Sequence, residues 1–230
     1  MSRPMISVII PAFNEEKSIG DVLTRVFRAV ELHSLPCEII VVNDGSTDRT
    51  RKLACNHGAT VLCNEKNRGK GHALARGFKT AKGDIIVTMD ADGSHNPEDI
   101  NKLILPILNG ADIVLGSRFA TGEGKNSTKR LHVFGNLLIN FLILMMTGKN
   151  VTDSQTGFRA FRKKVLQEIE ITSKGYQVET ELTVKMLRSG RTVKEVAVIS
   201  RKRMNGYSRI NPFGDGLRIL RAILKWSVTR

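Results

Sequence analysis

The chain has 230 residues, of which 41% are hydrophobic, and its formal net charge is +14. This length and hydrophobic content support a well-buried domain and exclude an intrinsically disordered chain. No apolar run reaches the roughly 18 residues that a membrane-spanning helix needs, and the first residues predict a strand, not a secretory signal. The three cysteines lack disulfide-framework and zinc-ligand spacing, so we expect small buried residues in a reducing cytosol.

Nearly all of the excess positive charge lies in the second half of the chain. Residues 1–118 contain 15 Lys and Arg against 14 Asp and Glu, whereas residues 119–230 contain 21 against 8. Such an asymmetry predicts an anionic partner, and a nucleic acid, an anionic membrane and a phosphorylated substrate are all candidates. The basic half has no zinc-finger spacing and no basic platform interleaved with aromatic residues, which argues against a nucleic acid.

Strand and helix patterns alternate along the first half. Short apolar runs predict strands, and apolar residues at helical spacing, often bounded by Ser, Thr, Asp or Gly, predict the helices between them. Strands that are apolar throughout and alternate with helices indicate an α/β fold, with a mostly parallel, Rossmann-like sheet covered on both faces. The predicted strands are 6–11, 38–44, 60–64, 84–90 and 112–118, and the predicted helices are 15–32, 46–58, 69–83 and 96–110.

Polar residues follow these predicted strands, at the edge where parallel sheets bind ligands. Asp90 and Asp92 come directly after an apolar strand, and two carboxylates so close together need hydrogen bonds or a cation. Asp48 is interpreted as a helix cap only. Neither G-x-G-x-x-G nor G-x-x-x-x-G-K-[ST] is present, which excludes a standard dinucleotide site and a P-loop. The other strand ends contribute Pro11, Phe13, Asn14, Glu15, Asn43, Asp44, Ser117 and Arg118.

The motifs resemble those of family 2 glycosyltransferases of the GT-A fold. "VIIPAFNEE", "VVNDGSTDRT", "NRGKGHALARG", "MDADGSHNPEDI" and "GSRF" carry this resemblance, and "DSQTGFRAF" and "RKRMNGYSR" are similar to the polyprenyl-phosphate branch of the family, notably dolichol-phosphate mannosyltransferases. The resemblance implies an inverting transfer of one sugar, with GDP-mannose as first choice of donor, to dolichyl or polyprenyl phosphate. "NRGKGHALARG" is nearer to the dolichol-phosphate glucosyltransferases, so UDP-glucose, another UDP-sugar and a non-lipid acceptor stay open.

The resemblance also implies roles for individual residues. Asp90 and Asp92 would hold Mg²⁺ or Mn²⁺ against the donor diphosphate, which agrees with the preference of hard cations for carboxylate and phosphate oxygens. Asp44 would face the base or ribose. Ser94 follows the D-A-D where relatives often have a residue better able to help the metal. Asp92, Arg118 and Arg203 are the implied catalytic residues, and the implied nucleotide-site residues are Pro11, Phe13, Glu15, Val42, Asp44, Asp90, Ala91, Asp92, Arg118, Arg203 and Arg209.

The second half is predicted to bind the acceptor and the membrane. Residues 1–118 would form the nucleotide-sugar part of one GT-A domain, and 119–230 its acceptor-binding, membrane-associated part. The segment 119–129 is either a surface loop or an acceptor loop that turns Lys129 and Arg130 to the phosphate. The helical run 131–148 is either a buried core helix or a helix in the membrane interface.

The end of the chain carries the clearest membrane signal. Residues 213–230 form a basic amphipathic pattern with Trp226, which suits an anionic membrane surface. Peripheral attachment to the cytoplasmic face is therefore predicted. Asp153 lies in a segment interpreted as a turn near the acceptor, and it is expected to pair with an arginine or the sugar. Glu179 and Glu181 are interpreted as structural partners of the excess arginines.

Overall fold

The computed structural model describes residues 3–32, 35–120 and 130–204, with only the helical backbone for 130–132. Within these residues seven strands and seven α-helices are present. The strands are β1 (Ile6–Ala12), β2 (Cys37–Asn43), β3 (Thr60–Cys63), β4 (Ile85–Thr88), β5 (Ile113–Ser117), β6 (Arg159–Arg162) and β7 (Val193–Ala197). The helices are α1 (Ile19–Glu31), α2 (Thr50–Asn56), α3 (Lys70–Thr80), α4 (Ile100–Leu108), α5 (Arg130–Thr147), α6 (Lys163–Gln167) and α7 (Val178–Arg188).

All seven strands form one sheet in the order β3-β2-β1-β4-β6-β5-β7. The pairs β1–β2, β1–β4, β2–β3 and β5–β7 are parallel. Strand β6 is antiparallel to both of its neighbours, β4 and β5. The predicted mostly parallel sheet is confirmed. Because β6 runs the other way, its first residue, Arg159, lies beside the carboxyl end of β4, opposite Thr88.

The core lies on both faces of the sheet, as the uninterrupted apolar strands predict. One face packs against α1 and α4 through a cluster that includes Val8, Val22 and Leu103. The other packs against α3 and α7 through a cluster that includes Leu74 and Leu182. Alternate side chains of each strand therefore enter opposite clusters, and the sheet is fixed from both sides.

Two predictions made from the second half and from the cysteines are wrong. The segment interpreted as a turn contains strand β6, which shares four residue pairs with β4. The cysteines are free, as expected, but Cys37 and Cys55 are exposed and Cys63 is partly exposed, so none is a buried core residue. The apolar pattern of β6 is short and interrupted by arginines, which explains why a strand was not predicted there.

Helix α5 presents apolar side chains to solvent and its polar stripe to the protein. Asn136 and Asn140 are buried, and their side-chain amides donate to the carbonyl of Thr152 at 3.2 and 2.9 Å. The outward face is therefore not part of the core, although Ile143 on the same helix is. Large exposed side chains on α5 are Phe134 (66% exposed), Leu137 (55%), Leu138 (45%), Phe141 (57%) and Met145 (71%).

No helix in the described ranges combines the length and the apolar character that crossing a bilayer would require.

The start of α3 is fixed by the segment that leads into α7. The amide of Gly71 donates to the carbonyl of Lys174 at 2.8 Å. A Cβ at position 71 would lie 2.0 Å from the carbonyl oxygen of Ser173, so only glycine permits this approach. Glu181 holds the same segment, because its carboxylate accepts from the amides of Thr172 and Ser173 at 2.9 and 2.8 Å.

We expect Glu181→Gln to lower the free energy of unfolding by about 1–3 kcal/mol at pH 7. Burial alone would raise the pKa of the Glu181 carboxyl, but hydrogen bonds from Lys185, Thr172 and Ser173 outweigh it and hold the pKa below its ordinary 4.5. A lowered carboxyl pKa stabilises the fold above the ordinary value, and this contribution disappears as pH falls through the folded pKa. Urea unfolding of both proteins from pH 7 downward measures the difference, which should shrink in acid.

The exposed Glu168, which pairs with Arg191, provides the control for this series. Glu168→Gln should change stability by less than about 1 kcal/mol, as is usual for surface ion pairs. A Glu181→Gln difference that stays constant down to pH 3 would contradict the proposed ionised state of this carboxylate.

Candidate active site

The carboxyl ends of β1, β2, β4 and β5 meet at one edge of the sheet. The amide of Met89 still donates to the carbonyl of Ile9 at 3.2 Å, and the chain leaves the sheet after this point. Asp90 and Asp92 follow, both partly exposed, with Ala91 buried between them. The predicted residues Glu15, Asp92 and Arg203 are linked by the contacts described below, with Asp90 in the same turn as Asp92. Arg118 directly follows β5 at the same edge of the sheet.

Asp90 forms an ion pair with Lys70, the first residue of α3. The Lys70 Nζ atom lies 2.5 Å from Asp90 Oδ1. Burial opposes both charges, but each charge stabilises the other, so the pKa of Asp90 is lowered far below its ordinary value and that of Lys70 is raised. Asp90 is therefore a carboxylate at neutral pH, available to a cation.

The backbone of Asp90 is held by a histidine. The Asp90 amide donates to His95 Nδ1 at 3.1 Å, and the imidazole stacks on Phe158 with 5.1 Å between ring centroids. Burial lowers the pKa of His95, which keeps the ring neutral. A neutral ring with Nδ1 as acceptor carries its proton on Nε2. His95 thus fixes the chain where the D-A-D motif leaves the sheet.

Asp92 forms an ion pair with Arg203. The Arg203 Nε atom lies 2.8 Å from Asp92 Oδ2, and Arg203 NH2 lies 3.4 Å from Glu15 Oε1. The Asp92 carboxylate also accepts a hydrogen bond within its own turn, since the amide of Ser94 donates to Oδ1 at 2.9 Å. The amide of Met204 donates to the carbonyl of Asp92 at 3.1 Å. The segment 199–204 therefore crosses the D-A-D turn and brings Arg203 to it.

Arg118 is held in a fixed orientation by Asp153. Its Nε and NH2 atoms lie 2.6 and 2.8 Å from the two carboxylate oxygens, and its amide also donates to Oδ2 at 3.1 Å. Asp153 is fully buried. The prediction that Asp153 pairs with an arginine is confirmed. A guanidinium clamped in this way is pre-organised to receive a phosphate.

A buried ion-pair chain lies behind Asp90. Lys70 Nζ also lies 2.7 Å from Glu179 Oε1, and Glu179 Oε2 lies 3.1 Å from Arg159 NH2. Arg159 is fully buried and donates to the carbonyls of Ser154, Thr156 and Glu179. The interpretation of Glu179 as a structural partner of an arginine is confirmed, whereas Glu181 pairs with Lys185 at 2.7 Å and not with an arginine. Its contact with Lys70, and the presence of Lys70 in the site, were not predicted.

Asp44 contacts the start of α3. Its carboxylate accepts from the amides of Arg68 and Gly69 at 2.8–3.1 Å and from the side-chain amide of Asn64 at 2.6 Å. Asp44 is therefore nearly buried and joins β2 to α3. Its expected contact with the base or ribose stays a prediction.

The other predicted nucleotide-site residues differ in exposure. Pro11 and Phe13 are partly exposed, whereas Val42 is fully buried in the cluster under α3. Arg209, Ser208, Lys129 and the helix predicted over 213–230 lie outside the described residues, as does the side chain of Arg130.

The donor set at the D-A-D motif fits a hard divalent cation that is shared with a substrate. It offers two carboxylates, and in the described ranges no group of three or more His, Cys, Asp and Glu forms a complete cage. Mg²⁺ in proteins is often held by one or two carboxylates, with phosphate and water oxygens completing its shell. Asp90 and Asp92 match this pattern, since they supply two carboxylates and no complete set of protein ligands surrounds them among the described residues.

Comparison with known proteins shows the family of the chain. Residues 7–170 match the profile of "Glycosyl transferase family 2". The chain is 34% identical over 230 residues to a dolichol-phosphate mannosyltransferase of Pyrococcus furiosus, an alignment that covers 96% of this chain and 64% of that protein. It is also 34% identical to a UDP-N-acetylglucosamine–dolichyl-phosphate N-acetylglucosaminyltransferase of Methanococcus voltae, over 86% of each chain.

A solved structure shares the fold. Glucosyl-3-phosphoglycerate synthase of Mycobacterium tuberculosis, in complex with Mn²⁺, UDP-glucose and phosphoglyceric acid, superimposes with a TM-score of 0.77. The match covers 99% of this chain and 81% of that one, at 26% sequence identity.

Proposed function

Because this chain belongs to glycosyl transferase family 2, we propose that it transfers one sugar from a nucleotide-sugar to dolichyl or polyprenyl phosphate. The D-A-D carboxylates carry this proposal, since they lie at the ligand-binding edge of the sheet, where Arg203 contacts Asp92 and Asp153 holds Arg118 at the end of β5. Two relatives with lipid-phosphate acceptors in their names support the acceptor class.

GDP-mannose is the first candidate donor, because the Pyrococcus relative is named a mannosyltransferase and the sequence motifs resemble those of enzymes that use this donor. A UDP-sugar is the second candidate, and two observations favour it. The Methanococcus relative is named for UDP-N-acetylglucosamine, and the Mycobacterium structure contains UDP-glucose.

Asp90 and Asp92 would hold Mg²⁺ or Mn²⁺, as the two-carboxylate donor set suits either ion and the Mycobacterium neighbour contains Mn²⁺. The bound ion would stabilise the charge that develops on the departing nucleoside diphosphate. Glu15, Asp44, Pro11 and Phe13 would form the rest of the nucleotide site, with Val42 beneath it.

Arg118 and Arg203 would orient the diphosphate of the donor and the phosphate of the acceptor. Asp153 fixes Arg118, so this side chain does not have to be ordered at the moment of reaction, and the contact with Glu15 keeps Arg203 beside the site. A lipid monophosphate has a second pKa near 6 and is largely a dianion at neutral pH. Its oxygen can therefore attack the anomeric carbon directly, with inversion, and no general base is assigned.

The outward face of α5 would rest on an anionic membrane surface at its cytoplasmic side. Its exposed apolar side chains suit the lipid boundary, and the chain from 119 onward carries 21 basic residues against 8 acidic ones. This arrangement would bring the acceptor, whose isoprenoid tail stays in lipid, to the open side of the site.

Transfer of radiolabelled sugar into the organic phase tests the function. GDP-mannose, UDP-glucose and UDP-N-acetylglucosamine would each be supplied with polyprenyl phosphate and Mn²⁺ or Mg²⁺, with phosphoglyceric acid as the alternative acceptor. Transfer from one donor to the lipid, abolished by EDTA, is the expected result. Transfer to phosphoglyceric acid and not to the lipid would contradict the proposed acceptor and indicate a small phosphorylated acceptor instead.

Sedimentation with vesicles tests the membrane surface. Binding to vesicles containing anionic lipid is expected to weaken about tenfold in Phe141→Ser/Met145→Ser, because two exposed apolar side chains are lost. Leu105→Ser is the matched control, since Leu105 is equally exposed (58%) but lies on α4. Equal loss in both proteins would contradict a role for this face.

A further inference from the structure

Each carboxylate of the D-A-D motif already has a basic side chain as counter-ion. Lys70 Nζ lies 2.5 Å from Asp90, and Arg203 Nε lies 2.8 Å from Asp92. These four groups sum to zero charge. A divalent cation that arrived alone would break both ion pairs and leave two displaced cations beside it.

Both counter-ions have a second acidic partner that is not part of the motif. Glu179 lies 2.7 Å from Lys70, and Glu15 lies 3.4 Å from Arg203. Glu179 is itself anchored by the buried Arg159 at 3.1 Å. Lys70 and Arg203 can therefore release Asp90 and Asp92 and still remain charged and close to the site.

The backbone keeps Lys70 against Asp90. A Cβ at position 157 would lie 2.8 Å from Lys70 Nζ and 2.9 Å from Asp90 Oδ2, so the bare glycine backbone borders this ion pair. Gly71, directly after Lys70, is bound to the carbonyl of Lys174. The ammonium group thus comes from a fixed helix start, and only its flexible side chain has to move.

We propose that Lys70 and Arg203 are internal counter-ions of the metal site, so that a divalent cation binds together with the nucleotide diphosphate and not before it. This rests on the proposed function. A diphosphate brings negative charge that offsets the dication and offers the released ammonium and guanidinium new oxygens to bind. A metal ion without the diphosphate brings no negative charge and no new oxygens. Repulsion between the ion and the charges of Lys70 and Arg203 then opposes its binding.

Mn²⁺ binding to the purified full chain, followed by the electron paramagnetic resonance of free Mn²⁺, tests this ordering. Wild type is titrated alone and with UDP or GDP, after the Mn²⁺–nucleotide equilibrium without protein has been measured. We expect binding at least about tenfold tighter with nucleotide. In Lys70→Met, binding without nucleotide should tighten about tenfold, the equivalent of one charge-assisted hydrogen bond no longer broken.

Two further variants make the result specific. Lys79→Met removes a positive charge from the exposed end of the same helix, and it should leave Mn²⁺ binding within about twofold of wild type. Lys70→Met/Glu179→Gln also removes the second carboxylate that pairs with Lys70, and it should again bind Mn²⁺ more tightly than Glu179→Gln alone. The comparison of this double variant with Glu179→Gln tests the role of Lys70 even where Lys70→Met alone folds poorly.

Different results would disprove the counter-ion role and the proposed transferase function. Tight Mn²⁺ binding to wild type without nucleotide, or no tightening in either Lys70→Met background, would overturn the counter-ion role and leave the transferase intact. Absence of Mn²⁺ binding with every nucleotide, together with absence of sugar transfer, would overturn the metal site itself and both proposals with it.

Discussion

Asp92→Asn is expected to reduce metal-dependent sugar transfer by about 10³-fold, since a bound metal contributes several kcal/mol to the transition state and about 1.4 kcal/mol corresponds to a factor of ten. Asparagine keeps the size of the side chain and its hydrogen bond from Ser94 N, but it loses the charge. Initial rates at saturating Mn²⁺, with circular dichroism to verify the fold, measure the effect.

Asp84→Asn is the matched control for this prediction. Asp84 directly precedes the same strand, β4, at its opposite end, where its carboxylate accepts from the amide of Met5 at 3.0 Å. It should keep transfer within about twofold of wild type, as for surface changes far from a site. Near-native transfer by Asp92→Asn would show that this carboxylate is not a metal ligand.

Arg159→Met is expected to lower the free energy of unfolding by about 3–5 kcal/mol, the usual cost of breaking a buried ion pair. Three backbone carbonyls would lose their donor, and Glu179 would keep only Lys70 as partner. Because Arg159 opens β6 beside the end of β4, the damage should reach the active-site edge. Urea unfolding at pH 7 gives the change in free energy.

The surface pair Arg191–Glu168 supplies the comparison, since both side chains are partly exposed. Arg191→Met should cost less than about 1 kcal/mol. An Arg159→Met protein as stable as Arg191→Met would mean that packing at position 159 matters and the buried charge does not.

Strands β1 to β5 and their order along the chain could be predicted because parallel strands buried on both faces are apolar throughout. Residues 6–11 predict β1 to within one residue. Helix boundaries were less accurate: residues 15–18 form a turn in which the amides of Ser18 and Ile19 share the carbonyl of Glu15, so α1 begins at Ile19. Strands β6 and β7 were not predicted, because β6 is short and begins and ends with an arginine, and β7 has two charged residues between its apolar ones.

Site residues that are close in sequence were easier to predict than those that tertiary folding brings together. Asp90 and Asp92 form a motif, and Arg118 follows a strand. Lys70 meets Asp90 across 20 positions and Glu179 across more than 100, and no local pattern encodes such a contact. A lysine between two glycines at a helix start was the one available signal.

Helix α5 illustrates why an amphipathic pattern does not fix orientation. The sequence separates Asn136 and Asn140 from a broad apolar side, and this is compatible with either face being buried. The carbonyl of Thr152 decides the matter, because it accepts from both asparagines and turns the polar stripe inward. The positions of this carbonyl and of the Ser154 amide, which donates to Asn140 at 3.1 Å, are properties of the fold that a helical pattern does not encode.

The antiparallel insertion of β6 has a consequence for how the chain folds during synthesis. Strands β1 to β4 can assemble as soon as they leave the ribosome, but β5, next in the chain, has no place beside β4. One edge of β4 therefore stays unpaired until residues 159–162 emerge and fill the gap. An open edge of apolar residues invites pairing with other chains, so the nascent protein is most prone to aggregate while about 70 residues, from 89 to 158, are being made. The same late strand carries Arg159 to the edge of the candidate active site, so the ion pairs of Arg159 and Glu179 behind Asp90 form only after this period of exposure.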